Sequence, residues 1–274
     1  MEELHPRLLA ITVGNTNTRF GVFEKDDPTP QRVGALPSDD IPALCDAIMD
    51  AARRLGEYDG SLVALASVND TAASALVNAL EPRLNQELLR IGTEVKIPVR
   101  VATDAGAKTG QDRLLNALAA WDVHQQACVV VDAGTAITID FIDGDGVFQG
   151  GAIAPGARMW LRALHEHTAA LPMVELARPA DGYFGRNTEQ AMLQAVYFGI
   201  RGMVRSLVER YAEAFEAYPP VVATGGDAIL LFEQDELIDT IVPDLTLRGI
   251  AAACGIMPKS NDRPGADEEP PLRR

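Results

Sequence analysis

The chain has 274 residues, room for one large domain or two of ordinary size, and its 47% hydrophobic content excludes a chain disordered throughout. Against 39 Asp and Glu stand 24 Lys and Arg, and the net charge of −15 argues against non-specific binding to nucleic acid or to an anionic membrane. No apolar run has the pattern of a signal peptide or the length of a membrane span, and Cys45, Cys128 and Cys254 show no metal or disulfide spacing, which together predict a cytoplasmic protein with reduced thiols.

Residues 1–6 are charged and are expected to form a flexible N-terminus. Leu8 to Val13 is an apolar run, Gly14-Asn15-Thr16-Asn17 is a turn rich in hydroxyls and amides, and Thr18 to Phe23 is a second run. The pattern predicts strand, turn, strand. A charged turn follows at residues 24–30. Asp40-Ile41-Pro42 opens a helix to about Gly56, with Asp40 as N-cap and Pro42 in the first turn. Ser61 to Val68 reads as a buried parallel strand. Thr71 to Leu89 reads as a helix broken at Pro82, and Glu94 to Val101 as a further strand.

The loop carrying Thr103 and Gly110 leads into a strong helix pattern from Gln111 to Trp121, with Asp112 and Arg113 in its first turn. An acid there suits the helix dipole, whereas Arg113 does not. An acid and a base side by side at a helix start, after a Gly-rich loop, suit an anionic substrate that carries a hydroxyl.

Val129 to Phe141 repeats the first hairpin. An apolar run ends in Asp132-Ala133-Gly134-Thr135, and a second run follows at once. Gly134 aligns with Gly14, and Asp132 with Thr12. A Gly turn brings backbone N–H groups close to a ligand, Thr135 can face a phosphate, and Asp132 can hold a cation. One such hairpin could be ordinary core. Two, one in each half, suggest two like domains facing each other across a cleft. Val147 to Ile153 completes a meander, and a helix follows from about Ala157 to His167. Glu189 to Tyr211 is a long helix for which Thr188 reads as N-cap. Val221 to Ala223 is a strand that ends in Thr224-Gly225-Gly226-Asp227, and the last helix begins near Leu245. Residues 258–274 have almost no large apolar side chain and are expected to be a disordered tail.

Taken in order, the motifs Val13-Gly14-Asn15-Thr16-Asn17-Thr18, Gly110-Gln111-Asp112-Arg113 with Asn116, Asp132-Ala133-Gly134-Thr135, Gly150-Gly151, Pro155-Gly156, Gly185-Arg186-Asn187-Thr188, Thr224-Gly225-Gly226 and Leu245-Thr246-Leu247 resemble type III pantothenate kinase. The match runs from about Leu8 to Ala253. The resemblance implies an α/β fold of two actin-like (RNase H-like) domains with a cleft between them, here 7–118 and 119–257, and an obligate homodimer. It implies phosphorylation of pantothenate by ATP with Mg²⁺, the first step of coenzyme A synthesis. ATP would be held by Thr12, Val13, Gly14, Asn15, Thr16, Asn17, Thr18, Arg19, Gly134 and Thr135. A monovalent cation, potassium or ammonium, would sit at Asp132. Pantothenate would meet Thr103, Gly110, Gln111, Asp112 and Arg113, and also Thr188 of the partner subunit, with Asp112 as general base. Two positions depart from the family pattern: Thr12 replaces an Asp, and Thr103 a Tyr. Thr12 keeps an oxygen but loses a full charge beside a divalent cation. That departure leaves open a second reading, a catalytically weak or inactive paralogue with a ligand-binding or regulatory role.

Overall fold

The computed structural model describes residues 7–24, 27, 29–53, 55, 60–104 and 106–256. The expected flexible N-terminus and disordered tail lie outside the described residues. The chain divides into two compact units, one running to Val123 and resuming at Asp244, the other spanning His124–Pro243.

The first unit holds β1 (Arg7–Val13), β2 (Asn17–Glu24), β3 (Gln31–Pro37), α1 (Ile41–Ala52), β4 (Leu62–Ser67), α2 (Asp70–Leu80), β5 (Leu88–Arg90), the short β6 (Arg100–Val101) and α3 (Gln111–His124). The second holds β7 (Cys128–Ala133), β8 (Ala136–Ile142), β9 (Val147–Pro155), α4 (Ala157–Glu166), α5 (Thr188–Phe215), β10 (Val221–Thr224), α6 (Ala228–Phe232) and β11 (Thr240–Ile241). The chain then returns to the first unit as α7 (Leu245–Ala253).

The repeat seen in the hairpins extends to whole sheets. The first unit's strands run in the order β3-β2-β1-β4-β5 and the second's in the order β9-β8-β7-β10-β11. In each, the first three strands form an antiparallel meander and the remaining pairs are parallel. This is the actin-like α/β architecture.

The central strands are largely apolar because both faces are covered. Leu9, Ile11 and Val13 of β1 pack with Leu44 and Ile48 of α1 and Leu76 and Leu80 of α2. Leu8 and Ala10 face the other way, onto Leu115 and Leu118 of α3 and Leu247 and Ile250 of α7. In the second unit Val129 and Val131 of β7 pack with Val196, Ile200 and Val204 of α5.

Several expectations need correction. Residues 244–256 belong with the first unit, because α7 buries Leu247 and Ile250 against β1 and α3 rather than against the second sheet. The helix expected to run to Leu89 ends at Leu80, just before Pro82, which has no backbone N–H to continue the helical ladder. Leu88–Arg90 is a strand instead. Of the strand expected at residues 94–101, only Arg100–Val101 forms, since Pro98 lacks a backbone donor. The helix expected to reach Gly56 stops at Ala52, and Gly56 itself lies outside the described residues. The N-cap expectation for α1 holds: Ala43 N–H donates to Asp40 Oδ1 at 3.1 Å. For α5 the cap is Asn187, whose Oδ1 accepts from Gln190 N at 2.8 Å, and Thr188 is the first helical residue.

Candidate functional site

In the first unit the Gly14 turn joins Val13 to its register partner Thr18. Gly14 N–H donates to Asn17 O at 3.1 Å. Asn15, Thr16 and Asn17 are exposed, while Val13 and Thr18 are buried. A brace that sequence reading missed holds the turn from below. Ser38 N–H donates to Thr16 O at 2.9 Å, and Ser38 Oγ donates to Gly14 O at 2.9 Å. With that proton used, Thr18 Oγ1 donates to Ser38 Oγ at 3.0 Å. Thr18 therefore positions the turn from beneath it. Nothing in the local sequence marks Ser38, because the partnership spans 20 residues.

Beside the turn, Thr12 is half-buried on β1, between Arg19 of β2 and Ala66 of β4 in register. The start of α3 is anchored to the same end of the sheet. Ser67, the register partner of Val13, donates its N–H to Gln111 Oε1 at 3.4 Å. The Gln111 amide also fills the space that a side chain on Gly92 would need. Gln111 is thus a strut that fixes the helix start. Asp112 follows, half-buried, and its Oδ1 accepts from Arg113 N at 2.8 Å. Its carboxylate lies where a side chain on Gly110 would stand, so a larger residue there would have to displace it. Arg113 and Thr103 are also half-buried. The first unit thus gathers Thr12, Arg19, the Gly14 turn and, through Gln111, Asp112 and Arg113.

In the second unit the Gly134 turn is one residue shorter, joining Ala133 to Ile137. Gly134 N–H donates to Ala136 O at 3.0 Å, and Thr135 is exposed. Asp132 lies opposite Thr138 on one side and Thr224 on the other. Gly225 (φ +95°) passes close over the Ala133 carbonyl and the Asp132 carboxylate, leaving no room for a side chain. Asp227 N–H then donates to Ala133 O at 2.9 Å. Asp227 is buried; burial pushes its carboxyl up, and the charge and hydrogen bond of Arg158 pull the other way. Arg158 Nη2 lies 2.8 Å from Asp227 Oδ1, tying the start of α4 to this loop. Neither residue's role was legible in the sequence. Gly156 N–H donates to Thr135 O at 3.1 Å, and Gly156 sits too close to the turn for any larger residue. Thr188 is exposed at the start of α5.

The half-buried Asp132 carboxylate and the Ala133 carbonyl beside Gly225 bring hard oxygen donors together at this turn. Burial pushes the Cys128 thiol up to about 12 and that of Cys254 up to about 11, so both stay protonated at neutral pH. Among the described residues no helix is long and apolar enough to cross a membrane.

The sequence profile of the family described as type III pantothenate kinase matches residues 8–210. A type III pantothenate kinase of Dehalococcoides mccartyi is 33% identical over 247 residues, covering 89% of this chain and 95% of the relative. One from Rhodospirillum centenum is 37% identical over 252 residues, covering 89% and 96%. Among solved structures, a Baf family protein of Campylobacter jejuni superposes with a TM-score of 0.58 at 20% identity, over 89% of this chain and 96% of its own. The ethanolamine utilization protein EutJ of Carboxydothermus hydrogenoformans gives 0.50 at 16% identity, over 90% and 89%. These two likenesses concern the fold.

Proposed function

The chain belongs to the type III pantothenate kinase family, and from that premise we propose that it transfers the γ-phosphoryl group of ATP to the hydroxyl of pantothenate, in the cytoplasm. The observation that carries the reading is the placement of Asp112. It stands beside a cation, Arg113, at a helix start fixed by Gln111 to the strand next to the Gly14 turn.

The chemistry follows from the donor set. Backbone N–H groups of the Gly14 and Gly134 turns each suit phosphate oxygens. Arg113 attracts the pantothenate carboxylate, and Asp112 accepts the proton of the attacking hydroxyl. The oxygen–phosphorus bond to the acceptor forms as the bond to the β-phosphate oxygen breaks, giving ADP and 4'-phosphopantothenate. Phosphoryl transfer asks mainly for positioning and charge stabilisation, so one carboxylate in reach of the hydroxyl suffices. Thr12 and the nucleotide's own phosphates would hold Mg²⁺, which when bound neutralises phosphate charge; Asp132 fits potassium or ammonium.

A homodimer, with Thr188 of the partner subunit completing the pantothenate pocket, belongs to the same reading. The exposed apolar residues Ile153 and Phe198 of the second unit support it. A monomer in sedimentation equilibrium at micromolar concentration would count against the dimer. Thr12 favours a second reading, a paralogue that binds ligand without turnover. A coupled assay of ADP release separates the two: turnover stimulated by pantothenate supports the kinase, and silence with Mg²⁺ and potassium present supports the paralogue.

A further inference from the structure

The two units hold their Gly turns with the same two backbone bonds. The loop after the third meander strand grips the residue before the turn's closing carbonyl. Ser38 N–H donates to Thr16 O at 2.9 Å, and Gly156 N–H donates to Thr135 O at 3.1 Å. The loop after the next parallel strand grips the carbonyl before the Gly. Val68 N–H donates to Val13 O at 3.1 Å, and Asp227 N–H donates to Ala133 O at 2.9 Å. Beyond that the units differ. In the first, a hydroxyl adds a third bond, from Ser38 Oγ to Gly14 O. In the second, Gly156 has no side chain to do so, and the two gripping loops are joined to each other: Arg158 Nη2 donates to Asp227 Oδ1 at 2.8 Å. The corresponding positions of the first unit are Asp40 and Val68, which cannot form such a pair. The ion pair is therefore an addition that the shared fold does not require.

We propose that Arg158 and Asp227 are positioning residues for the nucleotide: their ion pair locks the two loops that hold the Gly134 turn, so that the turn meets phosphate already in its binding geometry. This rests on the kinase reading, in which that turn takes phosphate oxygens, and deepens it. A peptide unit is planar, so a bond that holds a carbonyl also sets the direction of the N–H on the next residue. Holding Ala133 O sets Gly134 N–H, and holding Thr135 O sets Ala136 N–H. The turn cannot swing without breaking one grip, and neither grip shifts alone while the ion pair joins them. The Asp227 side chain is 8% exposed, so leaving its carboxylate without Arg158 is costly. It makes no capping bond to α6, so the pair can be broken by substitution without uncapping that helix. A turn ordered beforehand loses less freedom when the ligand arrives, which raises affinity without a new contact.

Isothermal titration of the full chain with ATP, in Mg²⁺ and potassium, tests this alongside steady-state kinetics. Arg158→Gln and Asp227→Ala should each weaken ATP binding by about fivefold, within the range over which residues that touch no ligand alter affinity. The double variant should lose no more than either single one, since both break the same pair. Arg158→Lys, which keeps the charge, should recover most of the loss. KM for pantothenate should not move, because Asp112 and Arg113 lie in the other unit, whereas a general loss of structure would disturb both KM values. Unchanged ATP binding in Arg158→Gln, or losses that add in the double variant, overturns the positioning role while the kinase reading stands. Weaker binding in Arg158→Gln with tighter binding in Asp227→Ala also overturns it, because Arg158 would then meet phosphate itself and Asp227 would compete for it. If Asp227→Ala does not fold, Asp227→Asn takes its place, since the amide keeps the shape and loses the charge. A folded wild type that binds no ATP overturns the kinase reading itself.

Discussion

Thr246 Oγ1 donates a hydrogen bond of 2.8 Å to Asn116 Oδ1, joining helices whose residues are 130 apart in sequence. The bond ties α7 to α3, the helix that begins with Asp112. Asn116 is buried among apolar neighbours, and so its amide needs partners. Thr246→Val leaves the buried Asn116 Oδ1 without this donor and should lose about 1–3 kcal/mol of stability, the usual cost of stranding a buried polar group. Thr246→Ser keeps the hydroxyl and should cost less. Urea denaturation of both variants checks the order; Thr246→Val as stable as wild type would refute the role given to this bond.

Gly225 and Gly226 offer a paired comparison on one loop. Gly225 has φ +95° and lies against the Ala133 carbonyl and the Asp132 carboxylate. At Gly226 nothing lies within 4 Å of the place a side chain would occupy. Gly225→Ala combines an unfavourable backbone with a collision and should destabilise by about 1–3 kcal/mol or more. Gly226→Ala should stay within about 0.5 kcal/mol, as surface changes usually do. Melting temperatures of the two variants measured side by side decide it, and equal values would contradict the geometry.

These residues mark what the sequence could carry. The two hairpins were legible because a β-branched run, a Gly turn and a second run form a local pattern, and its repetition pointed to the paired sheets. Asp40 was legible as a cap for the same local reason. Ser38, Asp227 and Arg158 were not, since each acts through a partner distant in the chain. The assignment of α7 to the first unit failed similarly: an amphipathic helix announces an apolar face, not which sheet it covers. Thr188 was misread as a cap because two capping residues stand in sequence and Asn187 takes the position.

Asp235 shows how a charge away from the site supports the second unit. Its Oδ2 accepts from Arg201 Nε at 2.6 Å, and Arg205 approaches Oδ1 at 3.5 Å. Burial alone would raise its carboxyl; the Arg201 hydrogen bond, the Leu237 N–H and the two positive charges outweigh that and hold it below the ordinary range. A depressed carboxyl adds stability above its unfolded value, about 3.9, and loses it as pH falls through the folded value. Asp235→Ala should cost about 1–3 kcal/mol at neutral pH, the size of a lost charge-assisted hydrogen bond from Arg201. The gap between wild type and variant should narrow below about pH 4. Denaturation curves at both pH values test this, and a gap independent of pH would refute the ion-pair account.

Asp112 carries the last prediction. Its carboxylate occupies the space left by Gly110 and accepts from Arg113 N, in the first turn of α3. Two roles would place an acid there: complementing the helix dipole, or taking the proton of a substrate hydroxyl. They differ in what an amide can replace. Asn keeps the shape and an oxygen for the Arg113 N–H, so Asp112→Asn should fold with a melting temperature near that of wild type. It cannot accept the hydroxyl proton as a base, so turnover should fall by about 10²–10⁴-fold, the span typical of general-base loss, with KM for pantothenate little changed. Loss of stability and substrate affinity together would instead mark a helix-start charge. An unchanged kcat would remove Asp112 from the mechanism and leave Arg113 and the Gly14 turn to account for whatever turnover the chain has.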